Sequence, residues 1–448
     1  MTPSALFTDF YELTMMAGYA AAGLAQAPAV FDLFFRRPPE GVSVLVAAGQ
    51  DLALTFLEEL SFTDQDLTYL RGTPLPREFV DSLADFTFTG EVFAVPEGTP
   101  VFADEPVLRV QAPLAQAQLV ETAVLNAVCY GSLVASNAAE VRHAAGDRSV
   151  LEFGARRAHG PDGALSASRA AYIGGCDATS NVEAGRQFGI PVAGTQAHAW
   201  VMAFESEVES FRAYARTFPD NCILLVDTYD TLAVGVPNAI VVAREMAGRG
   251  QALTGVRLDS GDLDELSRGA RAQLDQAGFP EVQIVASGDL DAPRIRALCE
   301  AKAPIDSFGV GTALVTAKQD PTISGVYKLA HVGDFPVAKV SATPAKTTNP
   351  GRKQVWRTEE GDVIGLADEQ RPGEPLLHKV MAGGRRLTSS PPLAEVRQRG
   401  LAMRTELADR APGGDLSKWP TRRSAVLQTL RDRVLDDLSD GVRDDRAT

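Results

Sequence analysis

The sequence predicts an α/β protein, an irregular TIM-like (β/α) barrel accompanied by a second domain, and three observations point there. At 448 residues the chain exceeds the roughly 250–300 residues over which a single hydrophobic core usually grows. From residue 149 onward, short β-rich runs alternate with amphipathic stretches, the arrangement of parallel strands joined by crossover helices. In each unit the polar and glycine residues cluster directly after the apolar run, where the βα-loops of a barrel converge. An open doubly wound sheet is the rival, because alternation alone does not show closure.

Residues 8–22 repeat apolar positions at helical spacing, and FDLFFRR (31–37) and FTGEVFAVPEGTPVFADEPVLRVQ (88–111) read as short strands of a small antiparallel module. Residues 114–145 contain no proline and one glycine, which predicts one long buried helix or a kinked pair. The barrel strands are expected in SVLEF (149–153), IPVAGT (190–195), CILLVDT (222–228), LTGVRLDS (253–260), VQIVASGD (282–289) and IDSFGVGT (305–312), with helices over 262–277 and 291–301. After about residue 330 the pattern breaks. SATPAKTTNPGRKQVWR (341–357) is a basic loop leading into a strand, 415–438 predicts a charged amphipathic helix, and the tail DDRAT is expected to fray. Domains are therefore expected over 1–148, 149–330 and 331–448.

A formal net charge of -15 argues against a nucleic-acid surface, since a polyanion would be repelled overall. An anionic small substrate would need a local positive pocket against that background. Cys129, Cys176, Cys222 and Cys299 lie far apart in apolar contexts with no CxxC, the pattern of small buried hydrophobes in a reducing compartment. The opening residues carry no basic n-region with an apolar core, and no apolar run approaches the length of a membrane span. The expectation is a cytoplasmic protein with no membrane or nucleic-acid partner.

Four strand ends carry the chemistry. EFGARRAHGPDG (152–163) places Phe153, Arg156 and Arg157 after the first barrel strand, where adjacent guanidinium forks suit a carboxylate or phosphate. A solvated pair salt-bridged to acids is the alternative. VRLDSGDL (256–263) sets Arg257 beside Asp259 and Asp262, fit to hold magnesium-bound phosphate or a cationic sugar centre, or simply to cap the next helix. ASGDLD (286–291), with Ser287, Gly288 and Asp289, and FGVGTALVT (308–316), with Gly309, Gly311 and Thr312, are late glycine turns through which backbone N–H groups can approach phosphate. LLVDTYDT (224–231) resembles an acidic phosphoribosyl-diphosphate loop of another fold but lacks its glycine turn, so Asp227 is read as a barrel strand end facing the cavity. His198, three residues past Thr195, has no metal-site companions in HxH, HExxH or paired cysteines. It is a core imidazole or a residue that does chemistry.

These motifs, with TDFYELTM (8–15), DATSN (177–181), GTQAHAW (194–200) and PGRKQVWR (350–357), occur together in one order, and the chain resembles the nicotinate phosphoribosyltransferase family over most of its length. The resemblance implies an irregular barrel joined to a smaller α+β domain built from both chain ends, and a homodimer with shared active sites. It implies ATP-coupled, ligase-type synthesis of nicotinate mononucleotide from nicotinate and phosphoribosyl diphosphate, with Mg²⁺ bound alongside the phosphates. By resemblance, Tyr11 and Phe153 face the pyridine ring, and Arg257 with Thr195 and Arg156 holds the nicotinate carboxylate. Asp177 lies near the ring. Asp259, Ser287, Gly288, Asp289, Gly309, Gly311 and Thr312 hold phosphoribosyl diphosphate, and His198 becomes a phosphohistidine; His198, Arg257 and Asp259 form the catalytic set. Ala178 and Ala199 stand where the family commonly has Gly and Ser, which alters loop detail. A nicotinamide-specific relative, a non-catalytic metabolite binder and an unrelated sugar-phosphate barrel enzyme are the competing readings.

Overall fold

The computed structural model describes residues 4–341 and 347–444, with side chains as far as residue 438. Residues 342–346 of the basic loop and all but the first residue of the DDRAT tail therefore lie outside the described residues. The chain divides into two units, one of Met1–Ser136 with Asp320–Thr448 and one of Asn137–Gln319.

The unit of residues 137–319 contains six parallel strands, Ser149–Glu152, Ala178–Thr179, Ile223–Leu225, Gly255–Leu258, Gln283–Ala286 and Ser307–Val310. Their spatial order is that of the sequence, and the last strand pairs with the first, Ser307 opposite Ser149 through Val310 opposite Glu152. A doubly wound sheet would reverse direction at a switch point; here the order is cyclic. The remaining gap lies between Thr179 and Ile223, and IPVAGT fills it without forming a strand. Thr179 N–H donates to Pro191 O, Ala193 N–H donates to Thr179 O, and Gln196 Nε2 reaches Ile223 O at 3.5 Å. Pro191 has no N–H to give a ladder, so one stave of the ring is held by scattered bonds. The barrel is irregular for that reason.

Several helices of this unit are capped by side chains. Asn181 accepts from Ala184 N–H, Ser206 from Glu209 N–H, Asp262 from Asp264 and Glu265 N–H, and Asp291 from Arg294 N–H. These side chains satisfy donors that a helix start otherwise leaves orphaned.

The other unit is an α+β body built from both chain ends, and it takes the larger share of the chain, not the smaller one expected. Its seven-stranded antiparallel sheet runs, in order, Phe335–Pro336, Gly325–Val332, Pro28–Phe35, Pro106–Pro113, Glu91–Ala94, His378–Ala382 and Arg385–Arg386. N-terminal strands thus sit between C-terminal ones. A four-stranded sheet adds Lys353–Thr358 and Gly361–Leu366 at its centre. The apolar faces close over Leu33, Phe35, Leu108, Val110 and Tyr327, together with helix residues Leu13, Leu57 and Val124. The 114–145 stretch is a pair, Leu114–Leu119 and Glu121–Ala145. The division between units falls inside the second helix, not at residue 149 where the sequence texture changes, because a helix carries no mark where its packing passes to another core. The last helix begins at Ala425 instead of 415. Pro420 and the strand Thr421–Arg423 occupy the intervening positions. Proline withholds an N–H that a continuing helix would need.

Near the chain start, buried Glu12 accepts from Thr122 N–H (2.9 Å), Thr122 Oγ1 (2.7 Å) and Thr8 Oγ1. Burial outweighs these donors, and with Glu121 nearby the carboxyl rises from 4.5 to about 7. The folded state therefore holds this proton more tightly than the unfolded chain does. Its stabilising contribution is complete below 4.5 and is lost as pH climbs through about 7. Glu12→Gln is expected to gain on the native protein in denaturant midpoint as pH rises from about 5 to about 8. A constant offset across that range would show that Glu12 does not titrate there.

Candidate active site

The C-terminal strand ends of the ring form one rim, and its first corner is Phe153. Phe153 N–H donates to Val310 O at 2.8 Å, locking the corner to the last strand. Its ring lies against Gly309, where any Cβ would stand 2.6 Å from Phe153 Cδ2 and 3.3 Å from Ser287 Cβ. Gly309 is thus required by a ring resting on its backbone. Gly311 approaches the Phe153 carbonyl in the same way, with a virtual Cβ at 3.0 Å, and Thr312 opens a single helical turn beside it.

Arg257 lies on the strand face opposite Val256 and Leu258, both fully buried. Its Nη1 donates to Thr195 Oγ1 at 2.5 Å, while its buried Nε–H has no hydrogen-bond partner among the described residues. Burial draws the guanidinium pKa down; Asp259 and Asp227 raise it, and Arg156 lowers it further. Arg156 itself is exposed at the rim. Arg257 thus keeps an unused buried donor at a place that also holds Arg156, Asp259 and Asp227.

Asp227 links the next corners. One oxygen faces His198 Nε2 at 3.2 Å; the other accepts from Asp259 N–H (3.0 Å) and Ser260 Oγ (2.7 Å). His198 starts the short helix His198–Met202 with 40% of its side chain exposed, whereas Asp227 is 1% exposed. A buried carboxylate holding a half-open imidazole fixes the ring and its proton position. Asp259 in turn accepts from Ser287 Oγ at 2.5 Å. Gly288, at φ +90°, lies so close to the Asp259 carbonyl that a Cβ would sit 1.8 Å from it, and Asp289 follows at φ 45°. The two glycine-bearing turns and the Asp259 corner therefore form one continuous wall.

Three expected positions behave differently. Asp177 precedes its strand, and its carboxylate accepts from Val150 N–H at 2.8 Å and pairs with Arg142 at 3.1 Å. It belongs to the opposite rim, because Ala178, the next residue, already pairs with Leu151 at the strand's start. Asp262 is the helix cap that its sequence context also allowed. Tyr11 lies in the two-ended unit on the helix Phe10–Ala21, 47% exposed, its hydroxyl pKa raised by burial and by Glu121, Glu12 and Asp9. Ser260, which the sequence offered with Asp262 as a cap of the next helix, donates instead to Asp227. One residue at the rim went unread in the sequence: Glu152, fully buried at the first strand end, would have been visible only as an acid breaking an apolar run.

Two family descriptions match the chain: the nicotinate phosphoribosyltransferase N-terminal domain over residues 6–129 and the nicotinate phosphoribosyltransferase family over residues 149–373. The chain is 48% identical over 394 residues to nicotinate phosphoribosyltransferase pncB2 of Mycobacterium tuberculosis, covering 87% of this chain and 84% of that one. It is 47% identical over 377 residues to the nicotinate phosphoribosyltransferase of Bacillus subtilis, covering 82% and 76%. The crystal structure of human nicotinic acid phosphoribosyltransferase superposes with a TM-score of 0.81 at 31% identity, covering 95% of this chain and 99% of the human one. With a cyclic barrel, a guanidinium pair and a carboxylate-held imidazole on one rim, the chain belongs to the nicotinate phosphoribosyltransferase family.

Proposed function

We propose that this chain joins nicotinate to phosphoribosyl diphosphate, giving nicotinate mononucleotide for NAD biosynthesis, and that it couples ATP hydrolysis to that step through a phosphohistidine at His198. The observation that carries the substrate assignment is the unused buried Nε–H of Arg257, beside Thr195 and within the field of Arg156. A carboxylate satisfies such a fork through two parallel bonds, as an amide cannot. Phe153, seated on Gly309, supplies one flat wall for the pyridine; stacking of this kind contributes ~1 kcal/mol beyond burial. The same reading makes the protein a cytoplasmic homodimer in which Tyr11 of a second copy faces that wall.

The pyridine nitrogen attacks the anomeric carbon as diphosphate departs, through a state with oxocarbenium character that the Asp259 carboxylate stabilises. Ser287, Gly288 and Asp289 with Gly311 and Thr312 cradle the phosphates. Among the described residues one oxygen of Asp259 is left without a protein donor, the other taking Ser287. A lone carboxylate oxygen would suit Mg²⁺, which when bound would supply positive charge against the departing diphosphate. At His198 the Asp227 carboxylate can only accept, so Nε2 carries the proton and Nδ1 holds the nucleophilic lone pair. Attack on the γ-phosphorus of ATP forms the N–P bond and releases ADP; water later cleaves that bond, releasing phosphate. Phosphorylation brings roughly two negative charges beside Asp227. Asp227 also holds the Asp259 N–H and Ser260, so the charge reaches the phosphate wall directly.

An end-point assay with nicotinate or nicotinamide, with and without ATP, tests the whole reading: nicotinate should react, and ATP should stimulate. His198→Ala should abolish the stimulation and leave weak ATP-independent synthesis; label from γ-labelled ATP retained on that variant would overturn the phosphohistidine assignment. Arg257→Ala should raise the KM for nicotinate by about 100-fold, the effect of some 2–3 kcal/mol for a lost charged hydrogen bond, and leave the KM for ATP within a few-fold. Equal effects on both would rule out a carboxylate clamp.

A further inference from the structure

Glu152 is absent from the roles described so far, yet it is fully buried at the end of the first strand, one residue before Phe153. Among the described residues no cation pairs with it. Instead three neutral donors converge on it: Gly154 N–H on one oxygen, and Ser168 Oγ (2.9 Å) and Thr179 Oγ1 (2.5 Å) on the other. These donors come from three places: the Phe153–Arg157 corner, the helix Gly160–Gly174, and the second strand. The backbone joins in, since Ser180 N–H donates to Glu152 O at 2.9 Å.

The network closes through Asn181. Its side-chain amide donates to Ser168 Oγ at 3.2 Å and its backbone N–H to Thr179 Oγ1 at 3.0 Å, while its side-chain oxygen caps the next helix. The DATSN stretch thus presents Thr179 to Glu152 and Asn181 to the two hydroxyls that hold it, and its acid, Asp177, points to the opposite rim. A buried carboxylate is tolerated only when its lone pairs are used. Those lone pairs therefore fix where the corner, the helix and the second strand can sit.

We infer that Glu152 is a positioning residue for the pyridine site: through Gly154 N–H it sets the corner that carries Phe153 and Arg156, and through Thr179 and Ser168 it ties that corner to the neighbouring stave. This rests on the assignment of Phe153 and Arg156 to nicotinate made above. The corner's other ties run to the last strand and the turn after it: Phe153 N–H donates to Val310 O at 2.8 Å, and Gly154 packs against Val315, where any Cβ would meet a methyl at 2.3 Å. The Glu152 side chain ties it to the helix Gly160–Gly174 and the second strand. A displacement of about 1 Å at such a corner suffices to change turnover by around 100-fold.

The test measures steady-state constants for each substrate in Glu152→Ala, Glu152→Gln, Ser168→Ala and Thr179→Val, alongside thermal midpoints and labelling by γ-labelled ATP. Glu152→Ala is expected to raise the KM for nicotinate at least tenfold, with the KM for phosphoribosyl diphosphate within threefold and histidine labelling intact. Glu152→Gln should recover part of that loss, because its amide still donates to one hydroxyl and accepts from one N–H. Thr179→Val and Ser168→Ala, which keep the carboxylate and the fold, should each raise the nicotinate KM by three- to tenfold and, by taking one donor from a buried acceptor, lower the midpoint without loss of cooperative unfolding. Parallel changes in all substrate constants, or wild-type nicotinate constants in the Thr179 and Ser168 variants, would overturn the positioning role. Failure of the underlying reading would look different: the native protein itself would not use nicotinate.

Discussion

Everything at the rim depends on the pairing of the last barrel strand with the first. That ladder sets Val310 beside Glu152 and lets Phe153 N–H reach Val310 O. Without it, the corner after residue 152 and the glycine turn after residue 310 would be separate features more than 150 positions apart in sequence. With it, Gly309 becomes the seat of the Phe153 ring, and Ser287 on the adjacent strand becomes its neighbour. Parallel pairing is non-local, and its entropic cost is repaid only when the whole ring forms. The rim is therefore a property of closure and not of any one βα unit.

Two buried carboxylates then divide the rim between them. Glu152 organises the Phe153 side through neutral donors, and Asp227 organises the other side through Asp259 N–H, Ser260 and His198. Both sit just at strand ends, and both spend their oxygens on the backbone or hydroxyls of neighbouring loops. The imidazole is anchored on one nitrogen and open on the other, and the carboxylate that anchors it also holds the next loop.

The two-ended unit depends on a different device. Asp32, on the strand Pro28–Phe35, meets Lys353 at 2.7 Å with side-chain exposures of 1% and 4%. Burial pulls the Lys353 ammonium pKa down, while Asp32 opposes that fall. Leaving either charge alone in such a place costs ~3–5 kcal/mol, so the pair fixes where the C-terminal sheet docks on the N-terminal one. Arg357 and Asp362, also buried, repeat the arrangement across the hairpin that follows. A chain whose ends form one body needs such keyed contacts, because sequence proximity cannot supply them.

The sequence by itself determined the strand–helix alternation, the late glycine turns, the guanidinium and acid residues at strand ends, and the position of His198 beyond Thr195. These are local matters of periodicity, capping and side-chain chemistry. Tertiary structure alone decided the rest. Whether Asp177 served the rim or its opposite turned on its lying one residue before a two-residue strand, a difference that no propensity encodes. Whether IPVAGT formed a strand turned on Pro191 and on which neighbours remained to bond it. Glu152 became an organiser only when Ser168 and Thr179 arrived from other elements. Local patterns are set by neighbours in the chain, but a buried acid takes its meaning from the donors that long-range folding delivers to it.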